Sequence, residues 1–359
     1  MKIIYLIFCI IIIIISLIVI LSQFCITNHF RNFNELPYVY LSLFIKNNKL
    51  YIISPIYDNI IKNINVNINN ENLLINDNFH TIQKSEPCQI LIMNINNNNN
   101  NNNNNKNCNK IKKITIKYDN KSHIIYRNPI NTLMKNKIAI TTLFKHDYYL
   151  FNIFYNYYLN QGISHFYMYY NGKITNDIKN YFNKPNVTLI EWNFTYQHYG
   201  NNRHYNYTSN IKSKYRHHAQ PCQMHDALYQ YGKDNYEYMI FCDLDEYIYY
   251  PNFKIVDFVY NNHDIDWFKI SSYYAATIDN KIPTYFPNKI MIDNEPHSYI
   301  SKNIYKTKLI KTLGIHVPVE FIIDKSKINM NDKGLLLHFQ SWNNKNTKHN
   351  CNTELFINN

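Results

Sequence analysis

Apolar and polar residues follow one another along this chain in three successive patterns. From Ile3 to Leu21 an uncharged, largely apolar run of 19 residues proceeds without polar spacing. At 1.5 Å per residue it spans a hydrocarbon layer of about 30 Å. The run is too long for the core of a cleaved signal peptide, and no small-x-small cleavage site follows it. It predicts a single-pass signal anchor over residues 1–24, with the body of the protein C-terminal to it. Over residues 38–130 the pattern changes to short period-two runs, "LYIISPIY", "INVNIN" and "ITIKYDNKSHIIYR", separated by Asn and Asp clusters. Period two with turn residues between the runs predicts a small β-rich subdomain. Ten consecutive Asn, residues 96–105, interrupt it, and a tract with no apolar face to bury predicts a disordered loop.

A third pattern, strands spaced by helical stretches, fills residues 137–345, ahead of a tail over 346–359. "KIAITTLF" reads as a buried strand, residues 147–161 as a helix closed by Gly162, and "SHFYMYY" as a second strand. A short helix near Thr175, the strand "VTLIEW", a helix over 211–231 bent at Pro221, and the strand "YMIFCD" follow. This order predicts an α/β domain with a mostly parallel sheet flanked by helices, binding its ligand beyond the carboxyl ends of the strands.

Composition narrows the chemistry. The formal net charge is +12, but Arg occurs only at 31, 127, 203 and 216. With no Arg-rich stripe and no nucleic-acid motif, we expect no nucleic-acid partner; a basic surface equally suits an anionic donor or a membrane face. Sequons at Asn120, Asn186, Asn193 and Asn206 are compatible with a lumenal body, in the ER or Golgi or on a virus or host membrane. Cys88 and Cys108 bracket the Asn tract and are placed to bridge. The six glycines, at 162, 172, 200, 232, 314 and 334, are too scattered for a P-loop, a G-x-G-x-x-G turn or a G-x-S-x-G elbow. A phosphate-binding site in this domain therefore needs a metal and side chains.

The stretch "YMIFCDLDEYIYY" supplies candidates. Three acids, Asp243, Asp245 and Glu246, end an apolar run and repel one another unless something compensates them. On a straight strand Asp243 and Asp245 point the same way and Glu246 the opposite way. Two carboxylates projecting together at a strand exit suit one Mn²⁺ or Mg²⁺. His316 and His338 each follow an apolar run, where a satisfied core histidine and a third metal ligand are both open readings; we assign His338 to the metal and keep His316 as a further candidate. His218, Cys222 and His225 share a helical face, which fits packing better than zinc.

Taken together the motifs resemble the GT-A-type glycosyltransferases, most closely family 92 and its family-2-like relatives. "FCDLDEYIYY" is similar to the family's acidic strand end, "HHAQPCQMHDAL" to the helix before it, and "TTLFKHDYYL" to its opening strand with a K-N-E triplet. "NQGISHFYMYYNG" matches the second strand, which ends Y-D-N in the family, and "LLLHFQSW" a C-terminal H-Y/F motif. The resemblance covers about residues 137–342. It implies a metal-dependent enzyme that transfers a sugar, with inversion, from a nucleotide-sugar donor; the acceptor we expect is a glycan or glycoprotein. The donor it implies is a UDP-hexose, often UDP-galactose. By resemblance Asp243 and Asp245 hold the metal, Lys145 and Asn171 lie near the nucleotide, and Gln220 and Asp226 line the donor side. The K-N-E triplet is Lys145-His146-Asp147 here, and the second-strand Asp is Tyr170. Glu320, four residues after His316, is the candidate general base. Two rivals stand beside this reading. A haloacid-dehalogenase-type phosphatase also uses D-x-D, but on an early strand of its domain and with Thr or Val where Tyr247 stands. The other rival is a non-enzymatic, membrane-anchored surface protein.

Loop length enters closure entropy only logarithmically, about 0.6 kcal/mol per doubling. Deleting residues 96–105 should therefore leave the thermal midpoint almost unchanged; a drop of many degrees in a melting experiment contradicts the loop reading.

Overall fold

The computed structural model describes residues 138–194, 196–199, 215–217, 219–316, 318–321, 328–329, 334–343 and 351–357, together with strands between 42 and 126. The anchor, the Asn tract and Cys108 lie outside the described residues. Among those described, no helix is long and apolar enough to cross a membrane.

The first eight strands are β1 (Ser42–Lys46), β2 (Lys49–Ser54), β3 (Asn65–Ile68), β4 (Glu71–Leu73), β5 (Phe79–Ser85), β6 (Cys88–Asn94), β7 (Lys113–Tyr118) and β8 (Lys121–Tyr126). They form two four-stranded antiparallel sheets, ordered β1-β2-β6-β5 and β4-β3-β7-β8.

A mixed α/β unit follows. Its first elements are β9 (Ile138–Phe144), α1 (Phe151–Asn160), β10 (His165–Tyr170), α2 (Asn176–Tyr181) and β11 (Val187–Glu191). Then come a hairpin, β12 (Gln197–Tyr199) with β13 (Tyr215–His217), and α3 (Ala219–Asp226), β14 (Tyr238–Phe241), β15 (Glu246–Tyr249) and α4 (Ile255–Asn261). The rest is strand: β16 (Trp267–Ala276), β17 (Lys289–Ile292), β18 (His297–Lys306), β19 (Ile310–Leu313), β20 (Pro318–Phe321), β21 (Ile328–Asn329), β22 (Leu335–His338) and β23 (Thr353–Phe356). The large sheet runs β11-β10-β9-β14-β18-β16-β17-β23, with β15, β21 and β22 attached. It is parallel from β11 to β14 and turns antiparallel at β18.

Strand β9 lies inside this sheet and reads as an unbroken apolar and β-branched run because both its faces are covered. Helix α1 covers one face with Phe151, Phe154 and Tyr158, all fully buried. It ends in a Schellman motif, the Gly162 N–H donating to Leu159 O (3.1 Å) and the Ile163 N–H to Tyr158 O (3.0 Å), with Gly162 at φ +86°. Helix α2 starts where Thr175 caps it, its side chain accepting from the Ile178 N–H.

The helix expected over 211–231 begins at Ala219, and residues 215–217 are strand instead. Pro221 bends nothing: it lies in the first turn, where its missing N–H has no intrahelical partner to lose. Beyond Asp226 the helix widens to i→i+5 turns over Ala227–Gly232.

Helix α3 packs on the opposite face of the sheet from α1 and carries the N-terminal sheet on its back. Phe44, Ile53 and Ile90 form one apolar cluster with Ala219, Met224 and Leu228. Lys46 donates to the carbonyls of Tyr229 (3.1 Å) and Gln230 (3.0 Å) in the widened turns and pairs with Asp234 (2.9 Å). The Cys88 thiol is buried against Cys222 of α3, while its expected partner Cys108 lies outside the described residues. His225 engages both ring nitrogens, Nδ1 with Pro221 O (2.7 Å) and Nε2 with the Leu313 N–H (3.0 Å), so this face packs rather than binding zinc.

A Cβ at position 162 would stand 2.4 Å from Val256 Cγ1 and carry a left-handed backbone. Gly162→Ala should cost roughly 2–4 kcal/mol in a urea titration; a loss below about 1 kcal/mol contradicts this account.

Candidate functional site

The acids do not sit on a straight strand. Strand β14 ends at Phe241 and β15 begins at Glu246, so Asp243 and Asp245 lie on the turn between them. The turn closes through the Glu246 N–H to Asp243 O (3.1 Å), while the Asp243 N–H donates to Glu246 Oε2 (2.9 Å). Strand alternation therefore does not apply. Glu246 folds back under the turn instead of pointing away, which is the loop-anchoring position. The side chain of Asp243 is 36% exposed, while those of Asp245 and Glu246 are 2% exposed.

Two neighbouring strands complete the cluster. Strand β18 pairs with β14, placing Asn303 opposite Phe241 and Lys302 one step further, beneath the turn. The Lys302 ammonium lies 2.8 Å from Asp243 Oδ2 and 3.0 Å from Glu246 Oε2. Strand β22 pairs with β15, His338 opposite Glu246, and brings His338 Nε2 to 3.4 Å from Asp245 Oδ2. The Tyr158 hydroxyl secures β15 from the helix side, donating to Glu246 O and accepting from the Ile248 N–H, both at 3.0 Å.

Charge is unevenly shared. Burial opposes the Lys302 ammonium, but Asp243 and Glu246 outweigh it and hold its pKa well above the lysine range. Desolvation pushes the Asp243 carboxyl up, yet Lys302 prevails and it stays below its ordinary value. Glu246 is raised by burial despite Lys302, since one ammonium serves two carboxylates. Burial disfavours a charged His338, but Asp245 raises its pKa. Asp147, just past β9, is raised to about 6 by burial, and Asp245 and Asp243 raise it further while the Lys145 backbone hydrogen bond opposes them.

Gln220, in the first turn of α3, reaches the site: its Nε2 donates to Asp243 Oδ1 (3.2 Å) and its Oε1 accepts from the Tyr196 hydroxyl (2.8 Å). Lys145 is exposed, and its backbone N–H holds Asp147 Oδ1 at 3.2 Å. Asn171 is buried with its amide donating to the carbonyls of Trp192 (2.9 Å) and Phe194 (2.8 Å), which shapes the loop after β11. Asp226 lies at the back of α3, where it accepts from the hydroxyls of Tyr169 and Ser42. It fastens β1 to the sheet and does not join Asp243. His316 is exposed beside Lys302, and its carbonyl accepts from Ser301 and Asn303. Glu320 pairs with Thr312 through its backbone in β20, and its side chain lies outside the described residues.

Three members of the site are absent from the sequence assignments: Lys302, Asp147 and Tyr196. Asp147 was within reach, being the third residue of the K-H-D triplet. Nothing about Lys302, one lysine among several in "YISKNIYKTK", marks it until β18 is paired with β14.

An acidic turn at the carboxyl end of a parallel strand, where a mixed α/β sheet changes direction, is where this architecture binds ligands. Such a fold and turn are consistent with a glycosyltransferase. The model of glycosyltransferase family 92 matches residues 138–356, well over half of the chain, and the chain belongs to that family. It is a glycosyltransferase, with an activated sugar donor and an acceptor as its partners. No curated protein matches it.

The raised Asp147 pKa fixes the sign of a pH effect. The folded value of about 6 exceeds the ordinary 3.8, so the folded chain keeps this proton longer than the unfolded one. Stability therefore falls as pH rises from about 4 to 6, by on the order of 3 kcal/mol at most. Asp147→Asn keeps the acceptor for Lys145 and removes the charge. In urea titrations with a chelator it should gain on wild type at pH 7.5 and show little advantage at pH 4.5. An equal difference at both pH values refutes the assignment.

Proposed function

We propose that the protein is a membrane-anchored, metal-dependent glycosyltransferase. It moves a hexose, with inversion, from a UDP-sugar to a glycan or glycoprotein acceptor; UDP-galactose is the first donor to test. The observation that carries this reading is the acid turn, with Asp243 opening to solvent and Asp245 facing His338. The donor set suits Mn²⁺ or Mg²⁺: hard carboxylate oxygens with one imidazole. A buried polar atom supports the fit, since His338 Nδ1 makes no hydrogen bond among the described residues. Asp243, Asp245 and His338 would hold the ion, and the ion would offset the negative charge that grows on the diphosphate as the sugar departs.

The other side chains orient and neutralise. Gln220 fixes the Asp243 carboxylate from one side and is itself fixed by Tyr196. Tyr149 ties the start of α1 to the segment after β22, its hydroxyl donating to Trp342 O at 2.6 Å. Inversion is a single displacement in which the acceptor hydroxyl oxygen bonds to the sugar C1 while the C1–diphosphate bond breaks. The hydroxyl proton passes to a general base, a role we give to Glu320. Residues 1–24 anchor the enzyme with its catalytic unit in the ER or Golgi lumen, or on a virus or host membrane. The phosphatase and structural readings give way to the family membership.

Asp243→Asn and Asp245→Asn keep shape and remove one charge each. We expect both variants to fold, with transfer reduced about a hundredfold or more and Mn²⁺-dependent UDP binding lost in isothermal titration. Undiminished Mn²⁺-dependent UDP binding in both folded variants would place the metal elsewhere.

A further inference from the structure

The acid turn already contains a cation. Lys302 is on a strand paired on both sides, with β14 and with β16, so its backbone has little freedom. Its side chain is 4% exposed, and its ammonium touches Asp243 and Glu246 together. Glu246 Oε2 also accepts the Asp243 N–H. Asp243 thus has both carboxylate oxygens engaged, Oδ1 by Gln220 and Oδ2 by Lys302. Among the described residues, no three His, Cys, Asp or Glu side chains converge into a ready coordination shell.

A divalent ion arriving alone at Asp243 meets two obstacles. It must compete with two hydrogen bonds, and the fixed Lys302 charge cancels part of the attraction that the carboxylates exert in a partly desolvated site. An ion arriving with a nucleoside diphosphate brings the compensating negative charge, and the Lys302 ammonium then attracts the pair it would otherwise repel.

We infer that Lys302 is a positioning residue that couples metal entry to donor entry, so that the free enzyme holds a divalent cation weakly and the cation–nucleoside diphosphate pair well. The inference rests on the metal-dependent reading above. In the free state Lys302 keeps the turn closed and Asp243 aligned, doing in the absence of the donor what the ion does in its presence. Coupling of this kind is reciprocal: UDP must raise Mn²⁺ affinity by the same factor as Mn²⁺ raises UDP affinity.

The test measures Mn²⁺ binding to the full chain in detergent by electron paramagnetic resonance, without and with saturating UDP. In wild type, UDP should tighten Mn²⁺ binding by about tenfold or more. In Lys302→Met, Mn²⁺ alone should bind about tenfold tighter or better, because one unit charge beside a divalent ion has been removed, and the gain from UDP should shrink. That variant leaves two buried carboxylates without their ammonium and can fail to fold. Lys302→Met with Glu246→Gln keeps the local charge balance and frees Asp243 Oδ2, and should bind Mn²⁺ alone more tightly than wild type but by less than Lys302→Met, because a nearby negative charge is lost with the positive one. Wild type binding Mn²⁺ equally well with and without UDP overturns the inference, as does a folded variant whose affinity for Mn²⁺ alone is unchanged. Either result, with Mn²⁺-dependent UDP binding intact, leaves the donor reading standing. Absence of any Mn²⁺-dependent UDP binding in wild type removes the donor reading and this inference with it.

Discussion

An ammonium shared by two carboxylates, Asp243 and Glu246, beside a third, Asp245, is the interaction on which this site depends. Removing two carboxylates from water at 2% exposure is costly, and a third at 36% exposure adds repulsion. Lys302 makes the arrangement tolerable because β18, paired with β14, delivers it beneath the turn. The position is a consequence of sheet topology. The parallel strands end at β14, and the antiparallel neighbour that follows runs back past the carboxyl end of β14 with a side chain available below the turn. In a wholly parallel sheet that neighbour would run the other way.

Helix α3 carries the next level of organisation. Its first turn aims Gln220 at Asp243, while later residues face the N-terminal sheet: Cys222 meets Cys88, and Asp226 binds Ser42 and Tyr169. One helix thus presents a polar residue to the site and a packed surface to the sheet. The two faces cannot shift independently, because the sheet is clasped again at Lys46 and the helix again at Leu313 through His225.

Much of this was legible in the residues. Strands β9, β10, β11 and β14, the Gly162 stop and the Thr175 cap follow from apolar period and capping chemistry, both local properties. The acids were legible as a cluster because like charges in an apolar run need a partner. Their geometry was not, since alternation assumes a strand and the backbone leaves β14 at Phe241. The start of α3 was misplaced because a proline suits both a bend and a first turn, and the apolar period does not separate them. Lys302 was invisible for a different reason: its role depends on a pairing between strands some 60 residues apart, which no local pattern encodes. Asp226, assigned to the donor by resemblance, is used instead to hold the N-terminal sheet.

The clasp between that sheet and α3 bears on how a catalytic fragment is cut from this chain. The family match begins at residue 138, yet Phe44, Ile53 and Ile90 share one apolar cluster with Ala219, Met224 and Leu228. A fragment trimmed to the matched span would strip the back of α3, take the Ser42 hydroxyl from Asp226, and expose apolar surface behind the helix that aims Gln220. A fragment that keeps this cluster starts upstream of Ser42, because β1, β2 and β6 pack on the back of the helix that aims Gln220.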